Sequence, residues 1–507
     1  MQFRTKARAV DLLGKGQIAD LPTAITELWK NGYDAYADNL TAEIYLDTYK
    51  DIKTPLFVMT DDGKGMSRND IFEKWLVLGT DSKSRASLEE KESEETLWKK
   101  PRIKAGEKGI GRLSVAFLGN PMLMISKKQG HPLQALFFDW RLLENYNLFL
   151  DDVDIPIENI ENIADFPLRF KKLKESFLKN FDKEEDLDGK PIWEERQLEL
   201  KNEIQNSIEV SEIPDFLSDK LLTDLLDIEN SHGTKFIIFE PIDQIIDITK
   251  NDSDYNDSKQ FVISSLSGFT NNFKEENTIV KTVIPVYKET NQEYNLLTSE
   301  GKFFTSKDYD LADVIIEGIF DGTGSFNGKL KIYDEVIDHT YLNPRKKDSR
   351  NDYGNVYIKL GYNQGIEKES IQNEIAYNII KEKVNNYGGL YIYRDEFRVL
   401  PYGRQNADFL RFEERRSKRA GTYYFSYRRM FGYIDIKREI NSFLRDKSSR
   451  EGLINNSQYR AFVSDASNFF ISLASDYFST EAKESIFIDK KKELNKQHEA
   501  LNADKAR

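Results

Sequence analysis

The stretch that decides the fold is IADLPTAITELWKNGYDAYADN, residues 18–39. Its apolar residues recur at helical spacing, which predicts an amphipathic helix with one buried face. Glu27, Asn31 and Asp34 lie four and then three residues apart, so they share one face of that helix. Because a buried carboxylate without a partner is costly, this polar stripe beside apolar residues indicates a site. A solvated helix face would explain the same spacing.

A second signal follows at the end of a predicted strand. The sequence PLFVMTDDGKGM, residues 55–66, is strand-like and then turns at Gly63 and Gly65, with Met66 directly after them. An aspartate at a strand end, here Asp61, can accept a hydrogen bond from an exocyclic amine, and glycines let the backbone approach a planar base. A plain turn explains this short motif equally well.

A third signal is the glycine-rich sequence GEKGIG, residues 106–111, which precedes a predicted helix. Successive backbone N–H groups at a helix N-terminus can bind phosphate oxygens. A dinucleotide-binding βαβ unit also uses a glycine-rich turn, but its glycine spacing runs in the opposite order and follows a buried strand. Here a charged loop precedes the glycines, so that alternative is disfavoured.

The composition excludes several classes of function. The formal net charge is −13, so nucleic-acid binding would require a local basic patch. The absence of cysteine and the presence of only four histidines, none at metal-ligand spacing, exclude thiolate chemistry and disfavour a zinc site. No apolar run of about 18 residues is present, so a membrane span is disfavoured and a cytoplasmic protein is predicted.

The chain is long enough for several domains. We predict a first domain at 1–245, with a lid at about 81–105 and a helical insertion at about 145–228. A second α/β domain is predicted at 246–480, and its predicted strands begin with TIVKTVIPVY at 278–287. The charged residues 481–507 predict a helical or coiled-coil extension.

The order and spacing of the three motifs, followed by HGT at 232–234, resemble the Bergerat nucleotide fold of the GHKL ATPases. This class includes gyrase B, the heat-shock-protein-90 chaperones, histidine kinases and MutL, and the resemblance covers roughly residues 10–245. The sequence is most similar to the heat-shock-protein-90-like and MORC-like members of prokaryotic type. The resemblance implies an α+β fold: a Bergerat-type α/β sandwich, then an α/β transducer domain and a C-terminal helical extension.

The resemblance also implies roles for individual residues. Glu27 corresponds to the general base that activates water, and Asn31 to the Mg²⁺ ligand. Asp61 would bind the adenine amine, while Asp34 and Thr234 would support the adenine network. The remaining implied nucleotide contacts are Gly63, Gly65 and Met66 at the base and Gly106, Lys108, Gly109, Ile110 and Gly111 at the phosphates. Lys83, in the predicted lid, is a candidate phosphate contact or else an exposed surface lysine.

In the second domain, GLYIYR at 389–394, GYID at 432–435 and SRE at 449–451 resemble the middle segment of the heat-shock-protein-90 chaperones in the same order. Arg450 would match the arginine that contacts the γ-phosphate, and Lys447 is the second candidate. A helix-capping role explains Arg450 equally well.

Taken together, these features predict Mg-dependent ATP hydrolysis with ATP-dependent homodimerisation. Glu27 favours hydrolysis over phosphate transfer to histidine. The predicted role is DNA handling or prokaryotic antiviral defence, with DNA or a protein as partner. The alternatives are a chaperone, for which the region after residue 480 is short, and a protein kinase or non-hydrolysing scaffold.

Overall fold

The computed structural model describes residues 4–13, 16, 18–77, 92–106, 111–186, 188–274, 279–289, 292–299, 301–344, 351–418, 423–447 and 452–505. The chain folds as two compact units. The first comprises Met1–Val262 and Ile279–Ser299, and the second comprises Ile263–Thr278 and Glu300–Arg507.

The strands are β1 (Asn39–Tyr45), β2 (Leu56–Asp61), β3 (Met122–Lys127), β4 (Leu133–Phe138), β5 (Ile157–Ile160), β6 (Gly233–Ile238), β7 (Lys281–Val283), β8 (Pro285–Lys288), β9 (Gln292–Asn295), β10 (Val314–Phe320), β11 (Phe326–Ile332), β12 (Glu335–Tyr341), β13 (Val356–Tyr362), β14 (Gly389–Arg394), β15 (Phe397–Arg398) and β16 (Met430–Ile436).

The α-helices are α1 (Arg8–Leu13), α2 (Leu21–Asp34), α3 (Arg68–Asp70), α4 (Val115–Leu118), α5 (Phe166–Leu178), α6 (Glu195–Val210), α7 (Asp215–Leu222), α8 (Asp243–Asp247), α9 (Asn256–Leu266), α10 (Leu296–Ser299), α11 (Glu374–Tyr387), α12 (Phe412–Lys418), α13 (Ser457–Leu473) and α14 (Ile486–Lys505). A π-helical turn, Ile71–Trp75, continues α3, and a 3₁₀ turn, Gly111–Ser114, leads into α4.

The first unit is built on a sheet with the strand order β5-β4-β3-β6-β2-β1-β8-β9, and β7 also pairs with β1. Its central strand β6 runs antiparallel to both of its neighbours, β2 and β3. Helix α2 and the 111–118 turn and helix pack together on the face that carries Asp61. Helix α7 lies on the opposite face of the sheet. There the buried Lys235 ammonium donates to the carbonyl of Leu221 in α7 at 2.8 Å. This two-layer arrangement is the predicted α/β sandwich.

The predicted boundary at residue 245 is wrong. Strands β7 and β8 run parallel to β1, with Asn39 opposite Lys281 and Ile44 opposite Val286. The predicted strand at 278–287 therefore completes the first sheet instead of opening the second domain. The local sequence marks a strand but not its partner, because pairing between distant strands depends on the whole sheet.

The predicted insertion at 145–228 is helical in α5, α6 and α7, as expected. It also supplies β5, which pairs antiparallel with β4 at the edge of the first sheet, with Leu133 opposite Ile160. The segment is thus joined to the sheet by strand pairing as well as by helix packing.

The lid at 81–105 stays a prediction, but its second half makes specific contacts in the structure. Residues 92–105 are fastened to the end of α2: the Lys99 ammonium donates to the Tyr36 carbonyl at 2.7 Å and the Arg102 guanidinium to the Ala37 carbonyl at 2.6 Å. Both carbonyls belong to the turn just after α2, and contacts between residues more than 60 positions apart leave no local signal in the sequence. Residues 81–91 of the predicted lid lie outside the described residues.

The second unit is built on a sheet with the strand order β12-β11-β10-β13-β16-β14-β15. Its core is rich in aromatic side chains, including Phe469 and Phe470 of α13, which lie edge-to-face at 5.3 Å. The predicted C-terminal helix is present as α14, and the buried Phe487 packs its first turn against Tyr333. The predicted α+β class, with two α/β regions and a helical C-terminal region, is confirmed.

Candidate functional site

Helix α2 supplies the first group of site residues. It begins at Leu21 because the Asp20 carboxylate accepts hydrogen bonds from the Thr23 N–H at 2.9 Å and the Thr23 hydroxyl at 2.6 Å, which caps the first turn. Glu27 and Asp34 are buried and Asn31 is half-buried. The polar stripe predicted from the sequence is therefore largely shielded from solvent and is not a solvated helix face.

Gly32 lets α2 pack closely against the end of β2. A Cβ atom at Gly32 would lie 2.8 Å from Asp61 Cβ and 2.5 Å from Leu40 Cδ2. No larger residue fits without displacing the helix, although glycine inside a helix costs roughly 0.5–1 kcal/mol relative to alanine. Gly32 was not among the residues predicted from the sequence. The feature that could have identified it is the presence of a glycine inside a predicted helix, between Asn31 and Asp34.

Asp61 ends β2, as predicted, and is half-buried. Burial raises the pKa of its carboxyl to about 7, the Gly63 N–H that donates to Oδ1 at 3.0 Å lowers it in part, and the charge of Asp62 raises it further. The group is therefore poised between its acid and its carboxylate near neutral pH. Both forms can accept a hydrogen bond from an amine, and the carboxylate accepts the stronger one.

The turn after Asp61 requires its glycines. Gly65 has a φ of +62°, and a Cβ there would lie 1.7 Å from the Lys127 carbonyl oxygen. A Cβ at Gly63 would lie 2.8 Å from the Ala35 carbonyl oxygen. The half-buried Met66 is held by its N–H, which donates to Ser126 Oγ at 2.9 Å. The turn is thus packed tightly against both α2 and β3.

Thr234 lies beside Asp61 on the neighbouring strand. The two residues are directly paired between β2 and β6, and Thr234 is paired with Ser126 between β6 and β3. Directly paired residues point to the same face of a sheet, so the three side chains form one row. The hydroxyl groups of Ser126 and Thr234 lie 2.9 Å apart.

Ser126 was not predicted as a site residue. It is fully buried near the end of β3, after four apolar residues, and it joins Thr234 to the Met66 turn. The polar residue inside an apolar strand is the signal that could have identified it.

His232, the first residue of the HGT motif, also contacts the turn: its Nδ1 lies 2.9 Å from the Gly63 carbonyl oxygen.

Asp34 makes contacts that the resemblance did not imply. Its carboxylate accepts hydrogen bonds from the Ala105 N–H at 2.6 Å and the Gly106 N–H at 3.1 Å. The buried Lys104 ammonium donates to the Asp34 backbone carbonyl at 2.9 Å. Asp34 thus anchors the start of the glycine-rich loop to the end of α2, a role that differs from the expected support of the adenine network.

The structure brings together the predicted residues of α2, the β2 turn, Gly106 and Thr234, and it places Gly111 at the start of the turn before α4. Lys447 lies in the second unit, where it is exposed and its N–H donates to the Gly452 carbonyl at 2.9 Å. The predicted residues that lie outside the described part of the chain are Lys83, Lys108, Gly109, Ile110 and Arg450.

The described residues include no group of three or more His, Cys, Asp or Glu side chains that could hold a metal ion. A magnesium ion bound with a nucleotide needs only one or two protein oxygens, because phosphates and water supply the others. The Asn31 amide oxygen, on the same helix face as Glu27, fits that limited requirement.

In the part of the chain that the structure describes, no helix has the length and apolar character needed to cross a bilayer.

Comparison with known families agrees with this geometry. Residues 19–167 match the family model "Histidine kinase-, DNA gyrase B-, and HSP90-like ATPase". The match contains α2, the β2 turn and the glycine-rich sequence, so this segment is similar to the nucleotide-binding domains of the GHKL class, whose members bind ATP.

Among solved structures, one described as "Crystal Structure of N terminal domain of a DNA repair protein" is similar over 92% of this chain and 97% of that chain. The two sequences are 10% identical and the TM-score is 0.43. The search of curated proteins finds no match.

Proposed function

We propose that the protein binds ATP with Mg²⁺ and hydrolyses it to ADP and phosphate at the site between α2 and the β2 turn. The observation that carries this proposal is the close approach at Gly32. It packs α2, the helix that bears Glu27 and Asn31, directly against Asp61. The helix that carries the candidate general base, Glu27, thus packs against the strand end that carries the candidate adenine-binding carboxylate, Asp61, and this packing supports a single site.

In the proposed reaction, Asp61 and the Ser126–Thr234 row bind the adenine, and the glycine-rich loop that Asp34 anchors binds the phosphates. Asn31 would hold Mg²⁺, which supplies charge neutralisation at the phosphates. The Glu27 carboxylate takes a proton from a water molecule as its oxygen bonds to the γ-phosphorus. The bond from that phosphorus to the β–γ bridging oxygen breaks, and its electron pair leaves with ADP.

We further propose that ATP binding drives the pairing of two copies of the chain. Arg450 or Lys447 of the second unit would then contact the γ-phosphate. DNA handling, within or outside antiviral defence, remains the proposed role, with chaperone activity as the second candidate. These steps rest on the resemblance of the sequence motifs and on the match of residues 19–167 to the ATPase family model.

One preparation of the full chain tests the proposal. After incubation with Mg²⁺ and γ-labelled ATP, we expect free labelled phosphate and ADP in equal amounts and no labelled protein. Labelled protein would identify a kinase instead, and bound ATP without turnover would identify a non-hydrolysing scaffold. Light scattering with and without ATP measures the pairing, and salt-dependent DNA binding separates DNA handling from chaperone activity.

A further inference from the structure

Lys30 belongs to the polar stripe of α2, although no role was predicted for it. It lies three residues after Glu27 and four before Asp34, so the three side chains share one helix face. Its neighbours on the apolar side of the helix, Leu28 and Trp29, are buried. Lys30 therefore carries its charge at the border between the helix core and the candidate site.

The Lys30 ammonium contacts Glu27 directly. Its Nζ lies 3.1 Å from Glu27 Oε1, and the side chains are only 18% and 7% exposed. For comparison, the Lys74–Asp70 pair, also within a single stretch of helix, has a lysine side chain that is 58% exposed. Exposed ion pairs of this kind contribute little to folding stability. Removing one partner of a shielded pair, in contrast, leaves the other charge without a compensating charge.

A fixed carboxylate is a better general base than a mobile one, because proton transfer requires the base within hydrogen-bond reach of the water. A glutamate has three rotatable side-chain bonds, and an ammonium at Oε1 restricts them. We propose that Lys30 is a positioning residue that holds Glu27 in the orientation needed to take the proton from the attacking water. This inference rests on the proposed hydrolysis, and Lys30 itself neither gains nor loses a proton in it.

The test compares Lys30→Met, which keeps the length and apolar stem of the side chain, with Lys30→Arg, which keeps the charge. We expect kcat for Lys30→Met to fall roughly tenfold to a hundredfold, in the range that misplacement of a catalytic group produces, with the KM and the Kd for ATP unchanged. Lys30→Arg should retain most of the activity because a guanidinium can also hold the carboxylate. Lys74→Met is the matched control and should retain wild-type kinetics.

Three outcomes overturn the inference. Wild-type turnover by Lys30→Met, with Glu27→Gln inactive, would leave the hydrolysis proposal intact and remove the role of Lys30. Weaker ATP binding by Lys30→Met at unchanged kcat would make Lys30 a substrate contact instead. Equal losses of kcat in Lys30→Arg and Lys30→Met would show that a positive charge at this position does not position Glu27. Full activity of Glu27→Gln would instead contradict the proposed function itself.

Discussion

The two neighbouring aspartates at the end of β2 have different roles. Asp61 faces the site and has a raised pKa. Asp62 instead fastens the turn after α2, since its Oδ1 accepts hydrogen bonds from the Asp38 N–H at 2.7 Å and the Asn39 N–H at 2.8 Å. The first residue therefore reduces stability in exchange for a binding group, while the second contributes to stability.

This difference predicts opposite effects of two matched substitutions. The folded protein holds a proton on Asp61 up to a pKa of about 7, whereas the ordinary value is 3.8, so stability is lost as pH rises through this window. Asp61→Asn removes that cost, and its gain in Tm over wild type should grow between about pH 4 and about pH 8. The same variant should lose ATP affinity.

Asp62→Asn is the control, and it should lower Tm at both ends of the pH range because it weakens two charge-assisted hydrogen bonds. Thermal unfolding over a series of buffers measures both variants. A Tm difference for Asp61→Asn that does not change with pH would contradict the raised pKa.

Gly65 gives a second prediction at the residue scale. Gly65→Ala places a Cβ against the Lys127 carbonyl oxygen in a backbone conformation that disfavours side chains, so we expect loss of ATP binding and a large fall in Tm. Gly130→Ala is the control, because Gly130 has a similar φ of +71° but open space around it. Strain alone costs about 1–2 kcal/mol. Equal Tm changes in the two variants would show that the close approach at Gly65 is unimportant.

Among the elements, the end of α2 is the point where the site is assembled. Lys99, Arg102 and Lys104 bind carbonyl groups there, and the Asp34 carboxylate binds the N–H groups before the glycine-rich loop. Arg102 also donates to Asp38 Oδ1 at 2.8 Å. Burial would raise the pKa of Asp38, but Lys99 and Arg102 lower it below its usual value. The 99–106 segment therefore couples the helix to the proposed phosphate-binding loop.

We expect Arg102→Met to weaken ATP binding without a change in which nucleotide base is preferred, because the start of the loop loses a support while the adenine pocket keeps its contacts. Calorimetric titration with ATP and GTP measures both quantities. Lys100→Met, a substitution of an exposed lysine in the same segment, should bind ATP as the wild type does. Unchanged ATP affinity in Arg102→Met would contradict the coupling.

The sequence predicted those elements whose signal is local. Helix α2 and the strand before Asp61 each depend on a few neighbouring residues, and both are present. Of the predicted glycine-rich turn, residues 107–110 lie outside the described part of the chain. The pairing of β7 and β8 with β1 and the fastening of residues 92–105 depend on contacts between distant parts of the chain. Ser126 and Gly32 were missed for the same reason, since each matters only through a neighbouring strand or helix.

At the scale of the whole molecule, one unit carries the proposed site and the other a separate sheet with an aromatic core. The proposed ATPase unit, followed in the chain by a second α/β unit, suits a protein in which hydrolysis drives a change of conformation or assembly. We expect Glu27→Gln to bind ATP and remain paired for longer than the wild type, because without hydrolysis the ATP-bound state ends only when ATP dissociates. Light scattering after ATP addition should then give a stable dimer mass for the variant and a transient one for the wild type.

In the proposed reaction Glu27 activates the attacking water. Single-turnover hydrolysis of prebound ATP measures this chemical step most directly. Enzyme in excess over labelled ATP, mixed with Mg²⁺ and quenched at successive times, reports the chemical step apart from binding and product release. We predict that the wild type converts its bound ATP to ADP, and that Glu27→Gln holds the same amount of ATP but converts it at least about a hundredfold more slowly. Conversion by Glu27→Gln at the wild-type rate would contradict the account.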